Sequence, residues 1–164
     1  MPAKKYKKLF EKKSGARLDV GAGFNVQKGW IGLDIQKLPG VDIVHDIQKI
    51  PWPVPSNSCF QVLLSHCWEH IEPKYRFAVM DELWRIIQPD GQLLISCPYA
   101  GTYLDAAHPA HYGCPNELTF TFFDPDYAYF VHAPIGTKPW KIVRNMPNPV
   151  GCIEVILEPR KNAK

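Results

Sequence analysis

Gly21-Ala22-Gly23 is a short glycine loop, and two acids, Asp34 and Asp46, follow it at short intervals. Glycines let a backbone approach a ligand closely. An acid at the tip of a neighbouring strand can take both hydroxyls of a ribose. Four of the imidazoles further on stand at His66, His70, His108 and His111. Each is a candidate proton acceptor, and a structural imidazole capping a turn is the competing role for His66 and His70. His108-Pro109-Ala110-His111 has the spacing of a metal pair, but no second ligand cluster stands beside it in the sequence, so no metal is assigned. Cys67 and Cys97 close apolar runs and are read as buried thiols.

These groups need elements that bring them to one edge. Arg17 to Val20 is a short apolar run entering the glycine loop and reads as the first strand. Trp30 to Ile35 and Val41 to Asp46 read as the second and third, so both acids end strands on the same side as the loop. Parallel neighbours ordinarily need a crossover of about a dozen residues, usually helical. Only residues 24–29 and 36–40 lie in these gaps, so two helices are expected to be missing or reduced to turns. The proline-stiffened loop Ile50 to Ser58 cannot be a central strand. Phe60 to Ser65 is the fourth strand, leading to His66-Cys67-Trp68-Glu69-His70. Glu72-Pro73 opens a helix, for which Phe77, Met80, Leu83, Trp84 and Ile87 give the apolar face and Pro89-Asp90-Gly91 the stop. Gln92 to Cys97 is the fifth strand. Residues 98–118 form a long loop of the kind that carries function, and Asp124-Pro125 favours a helix starting near there. Trp140 to Arg144 and Cys152 to Leu157 alternate as an antiparallel pair, turning through Asn145 to Pro149.

Composition sets the frame. The 164 residues suit one domain with a real core. Six of the 19 basic residues fall within residues 1–13, against one of the 16 acidic ones. That makes a basic N-terminal arm on a slightly acidic body. A solvated, removable terminus is the first reading of the arm, and contact with a polyanion the second. Five cysteines without a paired motif, and no leader segment, point to reduced thiols and a cytoplasmic protein. No apolar run approaches the ~20 residues of a membrane span.

Two ligand classes use such a loop, dinucleotides and S-adenosylmethionine. A dinucleotide fingerprint places a third glycine where Val26 stands and opens a helix whose N-terminus holds the pyrophosphate. S-adenosylmethionine has no phosphate and does without that helix. In this order the motifs resemble those of class I S-adenosylmethionine-dependent methyltransferases, closest to the compact "methyltransferase type 11"-like group. The residues that carry the resemblance are Leu18-Asp19-Val20-Gly21-Ala22-Gly23-Phe24-Asn25, Gly29-Trp30-Ile31-Gly32-Leu33-Asp34 and Asp46-Ile47-Gln48-Lys49-Ile50-Pro51-Trp52. His66-Cys67-Trp68-Glu69-His70, Glu82 to Gly91 and Cys97-Pro98 continue it, so that it spans residues 16–99. Gln61 and Asp90 depart from the group's acid and its glycine pair.

The resemblance implies that Gly21 and Gly23 cradle the methionine part of the cofactor, that Asp34 holds the ribose, and that Asp46 and the Ile47 backbone read the adenine. His66 lines the cofactor near its sulfonium. Asn25 and Ile35 complete the cofactor set, while His66, His70 and His111 are the candidate catalytic residues. The expected fold is α/β and Rossmann-like: a mostly parallel sheet with an antiparallel C-terminal hairpin and few helices around the first three strands. Residues 1–15 form the basic arm or helix, and residues 16–164 a single methyltransferase-like domain. The expected activity is methyl transfer to a small-molecule or nucleic-acid-linked acceptor. A non-catalytic binding module or subunit is the alternative, and a dinucleotide-binding protein the weaker one.

Overall fold

A computed structural model describes residues 3–11 and 15–161. Seven strands follow in chain order: β1 (Ala16–Val20), β2 (Ile31–Asp34), β3 (Val41–Val44), β4 (Cys59–Ser65), β5 (Ile87–Pro98), β6 (Trp140–Pro147) and β7 (Cys152–Pro159). The helices are α1 (Ala3–Tyr6), α2 (Arg76–Ile86), α3 (Tyr103–Ala107) and α4 (Glu117–Thr121). The strands form one sheet in the order β3-β2-β1-β4-β5-β7-β6. The first five run parallel, β7 runs against β5, and β6 pairs antiparallel with β7. This is the Rossmann-like sheet with an antiparallel C-terminal hairpin that the sequence implies. From β1 the chain steps to one side through β2 and β3, then returns to the other side through β4 and β5. The crevice at the carboxyl ends of β1 and β4 is therefore the switch point, where open sheets of this kind bind ligands.

Handedness explains the shape of the core. Right-handed crossovers put the β1–β2 and β2–β3 connections on one face of the sheet and the β4–β5 connection on the other. Only the latter carries a long helix, α2. Facing it, Leu18, Val62, Leu93 and Leu157 form one row across the strands, and Val20, Leu64, Ile95 and Val155 the next. None of these eight side chains is more than 2% exposed. On the opposite face, Leu63, Leu94 and Ile156 line up in register and stay half-buried. The expected loss of two helices has thus left the sheet covered mainly on one side.

The helix-free gaps are held by side chains instead. Asp19, inside β1, accepts the Gln27 N–H at 3.0 Å. Val26 fills the space left by Gly32 and Gly40, where a Cβ would come within 2.8 and 3.2 Å of it. At Gly32, a side chain would displace this plug.

Elsewhere the boundaries move. The helix expected from Glu72-Pro73 begins as a 3-10 turn at Pro73–Tyr75, becomes α2 at Arg76 and ends at Ile86. Its buried residues are Val79, Met80, Glu82, Leu83 and Ile86, whereas Phe77 and Trp84 stay half-buried. Pro89-Asp90-Gly91 stops no helix; it lies within β5, at the irregular register opposite Cys59–Gln61. Gly91 is needed there, because a Cβ would meet the Phe60 carbonyl at 2.6 Å. Among the described residues no α-helix starts at Asp124-Pro125: α4, which Asn116 and Thr119 cap reciprocally, already ends at Thr121, and only a 3-10 turn at Ala128–His132 follows. Asp124 instead accepts the Ile142 N–H at 2.7 Å and pairs with Arg160 at 2.9 Å. The last hairpin turns at residues 148–151, with Asn148 Oδ1 accepting the Val150 and Cys152 N–H groups. Pro147 lies on the edge strand β6, where a missing N–H is tolerated.

The N-terminal segment also differs from a removable arm. After α1 it continues as a 3-10 turn over Lys7–Phe10, and Phe10 is 8% exposed within the core cluster, with Tyr6 and Leu9 packed against it. Residues 1–2 and 12–14 of the arm lie outside the described residues.

Candidate functional site

β1 delivers the chain to the glycine loop, and β2 receives that loop's backbone. The Gly21 N–H donates to the Leu33 carbonyl at 2.8 Å, and the Ala22 N–H to the same oxygen at 3.3 Å. The Gly23 N–H donates to Asp34 Oδ2 at 2.9 Å, while Asp34 Oδ1 accepts the Gln36 N–H at 2.8 Å. All three loop amides are thus directed at β2 rather than into solvent. Gly21 has φ +68°, and a Cβ there would meet Cys67 Sγ at 2.6 Å, so the loop can rest on the β4 tip only as glycine. Gly23, at φ +55°, has open space where a side chain would stand.

A cavity of about 340 Å3 opens above this edge. Gly21, Asp34, Ile35, Asp46, Ile47, His66 and His70 all line it, together with Gln36, His45, Gln48 and Cys67. Seven sequence-derived positions therefore converge. Gly23 is not among the lining residues but bonds to one of them, Asp34. Asn25 is exposed and does not line the cavity, and neither does His111.

Asp34 ends β2 and is 9% exposed. Asp46 lies two residues beyond the end of β3, not at it: the strand stops at Val44, and the His45 N–H turns back to the Asp34 carbonyl at 2.9 Å. Asp46 Oδ1 accepts the Gln48 N–H at 3.0 Å, and Lys49 lies 3.7 Å from the carboxylate. Trp52 is core rather than wall: it is 2% exposed, its indole N–H donates to the Ile47 carbonyl at 2.8 Å, and its backbone N–H donates to buried Glu82 at 2.6 Å. The proline loop thereby fixes Ile47 from behind.

At the β4 tip His66 takes φ +51°, a left-handed conformation that non-glycine residues seldom adopt and that recurs at functional sites. Its backbone N–H donates to the Ser96 carbonyl at 2.7 Å, and its ring is more than half exposed at the cavity. Nδ1 lies 3.4 Å from Glu69 Oε1. Glu69 itself is fully buried, and neither carboxylate oxygen has a hydrogen-bond partner among the described residues. Such a group is costly and calls for a functional explanation. Arg76 is near this charge, its guanidinium 5.4 Å from the Trp68 ring centre. Burial pushes the Cys67 thiol up to about 12, and the charges of Glu69, Asp34 and Asp19 push it the same way. Cys67 is an inert wall surrounded by carboxylates.

The long loop folds over the 3-10 turn Trp68–His70. The Tyr112 N–H donates to the Glu69 carbonyl at 2.9 Å, and Arg76 donates to the Gly113 carbonyl at 2.8 Å. This brings His108 and His111 to His70, with ring centres 5.0–5.2 Å apart in all three pairs. The sequence shows only the first pair; the partner cluster it lacks locally comes from the β4 tip. Glu69 was not singled out either, although it sits between His66 and His70 in the motif, because its burial is a tertiary property.

No protein-family model and no curated protein matches the sequence. Solved structures do match the fold. A SAM-dependent methyltransferase from Archaeoglobus fulgidus superposes with a TM-score of 0.62 at 15% identity, covering 94% of this chain and 90% of that one. A SAM-dependent methyltransferase from Aquifex aeolicus gives 0.59 at 18% identity, over 95% and 88%. The 1,6-didemethyltoxoflavin-N1-methyltransferase of Burkholderia thailandensis, with bound 1,6-didemethyltoxoflavin and S-adenosylhomocysteine, gives 0.58 at 15%, over 96% and 76%. This chain therefore has the fold of the class I S-adenosylmethionine-dependent methyltransferases, with its cavity at the carboxyl edge of the parallel strands.

Proposed function

We propose that the cavity binds S-adenosyl-L-methionine and that the chain transfers its methyl group to a small-molecule acceptor. The observation that carries this reading is the polarity of the site. The three glycine-loop amides donate to β2, leaving no cradle for a pyrophosphate, and no helix N-terminus follows the loop. Asp34, Asp46 and the buried Glu69 instead make the surroundings anionic, which suits a ligand carrying a sulfonium and an ammonium group. In this reading Gly21 and Gly23 border the methionine part, Asp34 takes the ribose hydroxyls, and Asp46 with the Ile47 backbone meets the adenine.

Methyl transfer is an in-line displacement, so the protein's main work is to hold the acceptor at near-attack distance. An acceptor that carries a proton also needs a base. His66 fills that role here, with Glu69 as the positioning residue at Nδ1. His70 lines the same cavity, and His111, which does not, has its ring centre 5.0 Å from that of His70. The neighbour solved with a small heterocyclic acceptor and S-adenosylhomocysteine supports the choice of a small molecule.

Calorimetry with S-adenosylmethionine, S-adenosylhomocysteine and NAD tests the proposal. Both adenosyl ligands are expected to bind and NAD to give no heat of binding. Binding of NAD alone would remove the central claim. Release of S-adenosylhomocysteine across a panel of acceptors then separates an enzyme from a module that only binds.

A further inference from the structure

We propose that His70, His108 and His111 hold a divalent ion of the zinc class at the rim of the cavity. Each offers one ring nitrogen, and these atoms all lie within 4.8 Å of one another. Three nitrogens at 2.0–2.1 Å from one tetrahedral metal stand about 3.3 Å apart, so modest side-chain rotations close the set. Two of the ligands are exposed and free to make that adjustment, while the third, His111, is half-buried and fixed.

Tautomers favour the same arrangement. His111 Nδ1 lies 3.0 Å from the Asp105 carbonyl, which can only accept, so Nδ1 carries the proton and Nε2 keeps a lone pair for the metal. His108 Nδ1 accepts the Ala110 N–H at 3.2 Å; ligation through either ring nitrogen gives up that exposed bond, a small loss beside a metal–nitrogen bond. The backbone bonds from Tyr112 to Glu69 and from Arg76 to Gly113 hold the loop against the β4 tip before any ion arrives. A second group, Asp105, His111 and Cys114, shares His111 but faces its Nδ1 edge, with Cys114 Sγ at 3.8 Å. The two groups compete for one imidazole.

Three protein ligands leave at least one coordination position open. Because His70 also lines the cavity, that position lies at its rim. Its use by an acceptor with an oxygen or nitrogen lone pair rests on the methyl-transfer reading; the ion itself does not.

The test uses the untagged full chain, stripped with a chelator and titrated with zinc by calorimetry and with cobalt(II) by visible absorption. One equivalent of each is expected, with the absorption of tetrahedral cobalt(II). His108→Ala and His111→Ala should each weaken zinc at least about tenfold. His108→Ala should leave S-adenosylhomocysteine affinity unchanged, which shows the variant folded, and Cys114→Ser should leave zinc affinity unchanged. No zinc uptake, or uptake that survives both histidine substitutions, overturns the site. Uptake lost in Cys114→Ser moves the ion to the other group and also overturns it. If zinc binds as expected while S-adenosylhomocysteine does not bind to the unaltered chain, the methyl-transfer reading fails and the ion site stands.

Discussion

The carboxylate of Asp34 accepts the N–H groups of Gly23 and Gln36, yet a carboxylate offers about four acceptor sites, so each oxygen keeps a lone pair for a ligand. One side chain therefore shapes the glycine loop and presents charge to the cavity. Asp34→Ala is expected to weaken S-adenosylhomocysteine by ~1.5–3 kcal/mol, the range for losing hydrogen bonds to a charged group. Calorimetry reads this directly, and unchanged affinity would take Asp34 out of the site. Asp34, Asp46, Gly21 and His66 were legible from sequence because each follows a short apolar run, and the ends of parallel strands gather at one edge. Asn25 was not so constrained: it follows the loop as part of a motif but ends up exposed beside the cavity. Glu69 and the three-histidine cluster were not legible. Burial without a partner, and the docking of a loop on a distant turn, leave no periodic trace in the chain.

At the scale of elements, the strands follow their sequence signals more closely than the helices do. A buried strand announces itself by a short apolar run. A helix end depends on which competing bonds the first and last turns find. Asn116 with Thr119 caps a helix that ends before Asp124-Pro125, after which only a 3-10 turn forms, and α2 stopped at Ile86 because β5 could begin pairing at Ile87. The N-terminal segment shows the same limit, since its lysines read as solvated while its apolar residues face inward. Phe10→Ala is expected to destabilise the fold by about 3 kcal/mol, as for other buried phenylalanines, whereas Lys7→Ala or Lys8→Ala should change it by under about 0.5 kcal/mol. Urea unfolding of the three variants decides. A Phe10→Ala variant as stable as the unaltered chain would restore the removable arm. The buried thiols make a second prediction for these elements. Burial pushes Cys59, at the start of β4, up to about 12, and raises Cys97, near the end of β5, in the same direction. A thiol whose folded pKa is raised keeps its proton in the native state while the unfolded chain loses its own near pH 8.5. The stabilisation is complete below that pH and is lost as the pH rises toward about 12. Urea midpoints should fall between pH 9 and 11, less steeply in Cys59→Ala; identical slopes would show that this thiol is not protected.

The whole molecule is a sheet with one thick side, and that asymmetry follows from its connections. Shortening the β1–β2 and β2–β3 crossovers removed the helices that right-handed chirality assigns to one face, while α2 and the core beneath it cover the other. Adjacent residues of β5 therefore live in different solvents. Leu93 is fully buried in the row with Leu18, Val62 and Leu157, whereas Leu94 lies half-buried between Leu63 and Ile156. Truncation should separate them: Leu93→Ala is expected to cost ~2–5 kcal/mol, the range for a core leucine, and Leu94→Ala under about 1.5 kcal/mol. Urea unfolding at several protein concentrations makes the comparison. If Leu94→Ala proves as damaging as Leu93→Ala and its midpoint rises with concentration, the second face is covered in solution by another copy of the chain. A concentration-independent midpoint with the expected gap shows that this sheet folds with a single buried face.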